Sequence, residues 1–244
     1  METISVFFIG AVFGSFVNAT AYRTVRNKNF IFERSNCPVC GKQLSFLDMV
    51  PVVSYLLKKG KCRYCQNRIA RRYLFTEILG GINGTVCWHM AEVLEAKILF
   101  FFILNFLLFM ALIDIEIMEI KDIYQLLLLI LAAVTISIEK WSINNLIGAL
   151  IISLPLLVLA AVTESIGGAD VKVFFILGML AKEKGIMVIY LLTIGLASVF
   201  ALYRLQKGSN RKEEIPLLPF IYLAFLTYKG FEKYLLNCVI LWLT

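Results

Sequence analysis

Residues 98–114 read Ile-Leu-Phe-Phe-Phe-Ile-Leu-Asn-Phe-Leu-Leu-Phe-Met-Ala-Leu-Ile-Asp, and the sixteen residues before Asp114 carry no charge. A bilayer span needs ~20 mainly apolar residues, so this run reads as a membrane helix that ends on a carboxylate. The rest of the chain agrees. Of its 244 residues 60% are hydrophobic and 17% charged, and the mean hydropathy is +0.81. Soluble domains run at roughly 45–50% apolar and about 25% charged, which excludes a freely soluble globular protein. Disorder, collagen and a small disulfide scaffold are excluded as well, because apolar residues abound and six cysteines are few for this length.

Working outward, the apolar runs form about eight segments, 4–22, 74–90, 97–114, 123–138, 143–162, 171–181, 186–203 and 215–243. The expected fold class is an all-α polytopic membrane bundle of about eight helices with one cytoplasmic cysteine loop. The sixth segment is short and must borrow from its flanks or pack inside the bundle. The last is expected to break near Lys229-Gly230, with Pro216 and Pro219 marking a kinked or re-entrant entry. The first segment is expected to be a retained span and not a cleaved signal peptide, because Glu2 precedes its apolar core and Arg23, Arg26 and Lys28 follow it. That asymmetry puts the N-terminus outside. Eight spans then leave 23–73, 115–122, 163–172 and 204–214 inside, holding 18 of the 24 lysines and arginines. A three-to-one excess is what the positive-inside rule requires.

Residues 23–73 form the one sizeable soluble piece, with 12 basic residues against Glu33 and Asp48. Cys37-Pro-Val-Cys40 and Cys62-Arg-Tyr-Cys65 are separated by 21 residues. Two such knuckles let four thiolates meet one tetrahedral ion, so a structural zinc on Cys37, Cys40, Cys62 and Cys65 is expected. Gly41-Lys42 and Gly60-Lys61 suit tight turns and an electropositive shell. Disulfides or four plain thiols are the alternative, and a cytosolic location argues against stable disulfides. The basic charge is what an inside loop carries, and no nucleic acid partner is expected. Cys87, Cys238 and His89, near span ends, read as packing or surface residues.

The carboxylates beside apolar runs carry the chemistry. Asp114 ends the third segment and Asp170 opens the sixth, directly after Ile-Gly-Gly-Ala. Acids within membrane spans are functional candidates by default, although at a span end either can simply cap a helix. The topology places both on the cytosolic rim. Two carboxylates that approach titrate together, giving a base to activate water and an acid to protonate a leaving amine. Gly167 and Gly168 would let backbone pass close to a substrate peptide. Glu116, Glu119 and Asp122 are rivals for the first carboxylate.

Several motifs, in order along nearly the whole chain, resemble those of the type IV prepilin peptidase family of membrane aspartyl proteases. Gly14-Ser15-Phe16-Val17-Asn18 followed by Tyr22-Arg23 is similar to its Gly-Ser-Phe-x-Asn segment. The two cysteine pairs, with Pro51-Val-Val-Ser-Tyr-Leu-Leu between them, resemble its cytoplasmic loop. Arg72-Tyr73-Leu-Phe-Thr-Glu77 is similar to its Arg-Tyr-Pro-x-x-Glu. Asp114 with Asp122 resembles Asp-x-x-x-x-x-(Ile/Leu)-Pro-Asp, and Gly167-Gly168-Ala169-Asp170-Val-Lys172 resembles Gly-x-Gly-Asp-x-Lys. Ala169 replaces the signature's second Gly, and Lys121 stands where the first motif has Pro.

The resemblance implies catalytic Asp114 and Asp170, with Gly167, Gly168 and Lys172 around them. It implies cleavage of prepilin or pseudopilin substrates after a short basic leader, on the cytosolic face of a bacterial inner membrane. It also implies methylation of the new N-terminus with S-adenosylmethionine, associated with Gly14, Asn18 and Glu77. Residues 1–96 would then form the N-terminal, methyltransferase-associated part and 97–244 the peptidase bundle. Two other readings compete. A transporter or proton-relay protein would use its acids as relays, but predicts midplane acids and repeated halves, and no repeat is visible. A membrane-tethered zinc-ribbon binding protein would confine function to 23–73.

Overall fold

The computed structural model describes residues 1–27, 35–90, 93–163, 167–208 and 214–243. Its helices are α1 (Glu2–Val25), α2 (Val53–Leu57), α3 (Arg71–Met90), α4 (Leu94–Ile117), α5 (Asp122–Glu139), α6 (Ile143–Thr163), α7 (Gly168–Gln206) and α8 (Leu218–Leu243), with a 3₁₀ turn at Phe46–Asp48. Among the described residues there are only isolated β-bridges, Asn36 with Gln43 and Lys61 with Arg68. The helices α1, α4, α5, α6 and α7 are long and apolar enough to cross a membrane. The chain divides into two compact units, Met1–His89 and Met90–Thr244; the expected boundary at 96/97 lies in the first turn of α4.

In the first unit, α1 and α3 pack through glycine. A Cβ built on Gly14 would lie 2.3 Å from the Thr76 carbonyl, and one on Gly80 2.4 Å from the Gly10 carbonyl. Only residues without side chains let two helix backbones approach this closely, the usual solution where apolar burial does not drive helix association. Cys87 is buried, and His89 on the same helix faces the Thr3 hydroxyl.

In the second unit α4 is the most buried of the helices long and apolar enough to cross a membrane. Two-thirds (67%) of its apolar window is buried, against 28% for α5 and 22% for α6. It packs on α5 and α8, while α7 packs on α5, α6 and α8. The expected sixth and seventh segments both lie on α7, whose regular dihedrals break at Lys182 (φ 59°, ψ −177°). The chain reverses there. The rings of Phe174 and Tyr190 are 5.7 Å apart, whereas sixteen residues of straight helix would separate them by about 24 Å. α7 is therefore a helical hairpin, and its first arm, 168–181, spans about 21 Å at the helical rise. That arm packs inside the bundle as its length requires. The break in α8 falls at Phe231, just past the expected Lys229-Gly230. The side chain of Cys238 lies outside the described residues.

α6 reaches the first arm of α7 by the same glycine device: a Cβ on Gly178 would lie 2.1 Å from the Gly148 carbonyl. Gly178→Leu should separate these helices and destabilise the bundle by about 1–3 kcal/mol, the usual range for overpacking. A thermal or denaturant unfolding series in detergent measures this. Gly195→Leu is the control, because a Cβ there meets nothing within 4 Å.

Candidate active site and metal centre

Asp114 lies in the last turn of α4 with only 7% of its surface exposed. Its Oδ2 accepts the Leu218 backbone N–H at 3.1 Å. Leu218 is the first residue of α8, so the carboxylate sits on a helix N-terminus, where unpaired N–H groups and the helix dipole both favour negative charge. Pro219 in that first turn has no N–H to leave unpaired. The α4 helix ends just beyond, where Met118 adopts a left-handed conformation (φ 51°) and its N–H returns to the Asp114 carbonyl.

Asp170 occupies the first turn of α7, after an extended Gly167, whose carbonyl accepts the Asp170 N–H at 3.0 Å. The two carboxylates lie within electrostatic reach of each other. A Cβ on Gly167 would come within 3.2 Å of Asp170 Oδ2, while one on Gly168 would meet nothing within 4 Å. Side chains at 167 would crowd the carboxylate, and the approach at 168 is open. Ala169 is helical with an ordinary negative φ, so its methyl group imposes no backbone strain.

The rival acids are placed differently. Asp122 opens α5, is largely exposed, and pairs with Lys172 Nζ at 2.6 Å. Glu119 is exposed and Glu116 half-buried. Of the acids in 114–122, Asp114 is the buried one, and it lies within electrostatic reach of Asp170.

In the first unit the two cysteine knuckles share one hydrogen-bond pattern. The Cys37 N–H bonds the Lys42 carbonyl and the Gly41 N–H the Cys37 carbonyl; the Cys62 N–H bonds the Asn67 carbonyl and the Gln66 N–H the Cys62 carbonyl. Gly41 (φ 67°) and Gln66 (φ 57°) fill equivalent left-handed positions. Sequence reading marked Gly41 and Gly60, but a glutamine gave no signal of its own. The four Sγ atoms lie within 4.8 Å of one another, with Cys37 and Cys65 at 3.9 Å. A tetrahedral ion with ~2.3 Å metal–sulfur bonds needs sulfurs roughly 3.8 Å apart, so the cluster fits a metal. The acidities agree. The N–H groups of Cys65 and Tyr64 lower the Cys62 thiol to about 7. Although the Asn67 N–H favours its thiolate, burial and the neighbouring sulfurs raise Cys65 to about 11. Four coexisting thiolates require a cation between them.

Gly14, Asn18 and Glu77, which the resemblance tied to methylation, are engaged in this unit's own packing. Gly14 abuts α3. Asn18 Oδ1 accepts the Arg72 Nε–H at 2.6 Å. Glu77 accepts the Ser15 hydroxyl at 3.0 Å and the Val52 N–H at 2.7 Å. Val52 has φ 62° and ψ −54°, and the next N–H bonds back to Pro51. This is a γ-turn with positive φ, rare for any residue and strained for a β-branched one. Glu77 holds it in place.

Residues 8–91 match the bacterial peptidase A24 N-terminal domain, and residues 101–202 match the type IV leader peptidase family. A prepilin leader peptidase/N-methyltransferase of Bacillus subtilis (strain 168) is 28% identical over 228 residues, covering 89% of this chain and 90% of that protein. The protein of that name from Dichelobacter nodosus is 29% identical over 205 residues, 80% of this chain and 70% of its own. The one from Vibrio cholerae serotype O1 is 41% identical over 78 residues, 29% and 31% of the two chains. No solved structure matches.

Within the loop, the Lys58 ammonium beside Asp48, with the Ser45 N–H and hydroxyl, holds that carboxyl at about 2 rather than 3.8. A lowered folded value stabilises above the unfolded one. Its contribution should be complete above pH 3.8 and lost as the pH falls through about 2. Limited proteolysis of residues 35–70 across that range should show acid loosening that is smaller in Asp48→Asn.

Proposed function

The chain belongs to the type IV leader peptidase family, and from that premise we propose that it is a multi-pass inner-membrane aspartyl endopeptidase that removes the basic leader of prepilin-like proteins. The observation that carries this reading is that Asp114, at the end of α4, and Asp170, at the start of α7, lie within electrostatic reach of each other. One carboxylate takes a proton from water, whose oxygen attacks the scissile carbonyl. The other gives its proton to the leaving amine, and the C–N bond breaks. Gly167 and Gly168 keep the approach to Asp170 free of side chains, and Lys172 engages Asp122 beside the pair. The lysine and arginine distribution supports cleavage on the cytosolic side.

The second reaction is N-methylation of the new terminus with S-adenosylmethionine as methyl donor, as the relatives' name implies. It belongs to the N-terminal part, residues 1–96, while 97–244 carries proteolysis. Gly14, Asn18 and Glu77 serve it indirectly, by fixing α1 against α3 and holding the turn at Val52. The metal of the cysteine cluster is zinc with a structural role, since four protein thiolates leave no open position.

Asp114→Asn and Asp170→Asn should each reduce prepilin cleavage by about 10³-fold or more, as removal of one member of a catalytic unit does. Folding should survive, because Asn retains a side-chain oxygen to accept the Leu218 N–H. Asp122→Asn should lose far less. A leader-cleavage assay in liposomes, with unfolding curves for each variant, checks all three. Elemental analysis should find about one zinc per chain, lost in Cys37→Ser/Cys40→Ser; methylation should fall more than proteolysis in that variant.

A further inference from the structure

The cysteine loop carries an apolar surface that is left open among the described residues. Nine large apolar side chains stand exposed between residues 35 and 70, and seven of them fall within 46–57. Phe46 (89%), Leu47 (73%), Leu56 (60%) and Leu57 (79%) are the most open of these. They come from two elements that pack on each other, the 3₁₀ turn and α2. Asp48 and Lys58, the neighbours of Leu47 and Leu57, form an ion pair, which brings the four side chains to one region of the loop. A contiguous apolar patch on an otherwise polar surface marks contact with something else.

The same segment is tied beside the membrane helices rather than above them. Glu77 accepts the Val52 N–H at 2.7 Å and the Ser15 hydroxyl at 3.0 Å. Glu77 lies five residues past Arg72, and Ser15 eight residues before Arg23, about 8 Å and 12 Å of helix. Arg23 and Arg72 stand where the apolar runs of α1 and α3 end. The turn at Val52, from which α2 starts, is therefore level with apolar helix and with the acyl chains around it. Segments that lie in a membrane interface bury their apolar face to about 5–10 Å, the same depth.

Charge selects the kind of surface. Residues 35–70 hold six lysines and arginines and one acid, Asp48, which is already paired. Lys59 and Lys61 follow α2 directly and are exposed. Apolar side chains rimmed by lysines match an anionic bilayer, whose acyl chains take the first and whose phosphates take the second. An acidic protein would satisfy the lysines, but it would have to reach the patch at the depth of the acyl chains.

We propose that residues 46–57 form an interfacial anchor. Phe46, Leu47, Leu56 and Leu57 insert among the acyl chains of the cytosolic leaflet, and Lys59 and Lys61 lie on the phosphates of its anionic lipids. The anchor holds the cysteine cluster against the bilayer, and it stands whether or not the chain cleaves prepilins.

Tryptophan quenching in liposomes tests it. The full chain carries Leu57→Trp, or Phe46→Trp as an independent probe, and the signal of the three native tryptophans is subtracted. The bilayers contain phosphatidylglycerol brominated on its upper acyl carbons. The added tryptophan should emit in the blue and lose most of its intensity to the brominated lipid. Red-shifted, unquenched emission would put the patch in water. Blue emission without quenching would put it under protein, of this chain or of a second copy. Either result overturns the proposal. Chymotrypsin cleavage of residues 35–70 tests the lysines. In phosphatidylglycerol bilayers Lys59→Gln should be cut about 5-fold faster than the native chain, the effect of one lysine withdrawn from an anionic surface. In phosphatidylcholine the two should be cut alike. Equal rates in both lipids, or the same difference in both, would remove Lys59 from the phosphates.

Discussion

The second unit is organised around one contact, the Asp114 carboxylate on the N-terminus of α8. Asp114 is carried by α4, whose apolar stretch is two-thirds buried, and the residue it bonds is 104 positions away in sequence. Removing a carboxylate from water is unfavourable unless donors replace the water, and the helix N-terminus supplies them. The same carboxylate lies within reach of Asp170. Structural and chemical roles thus converge on one side chain. The cap sets where the carboxyl group stands, and in the proposed mechanism the second aspartate sets what it can do with a proton. Asp122, by contrast, is exposed and paired with Lys172.

The first unit works by a different constraint. Its helices approach through glycine backbones rather than large apolar side chains, which leaves the loop between them to be held by polar contacts. Glu77 reaches from α3 to the strained turn at Val52, and Asp48 ties the 3₁₀ turn to Lys58. The two knuckles then bring four thiols to one point. Large apolar side chains of this loop, Phe46, Leu47 and Leu57 among them, are exposed, so carboxylate bonds hold its shape, and a metal on the four thiols would add to them.

Much of this was legible in the sequence because membrane helices and cysteine knuckles have strong local signatures. All eight apolar segments lie on helices, and the four cysteines converge as their spacing requires. What escaped was set by contacts between distant parts of the chain. The reversal at Lys182 is invisible locally, since a lysine between two apolar runs also marks an ordinary loop; only the Phe174–Tyr190 contact reveals the hairpin. The left-handed Gln66 is implied only by its equivalence to Gly41. Likewise, no spacing rule connects Asp114 with Leu218.

The central claim is that Asp114 and Asp170 act as one unit. Comparing cleavage rates of the native chain, the two single Asn variants and the double Asn variant tests it most directly, because residues of one catalytic unit are grossly non-additive. The account requires the double variant to be about as slow as either single one. Losses that multiply, or a single variant that still cuts at the native rate, would contradict it.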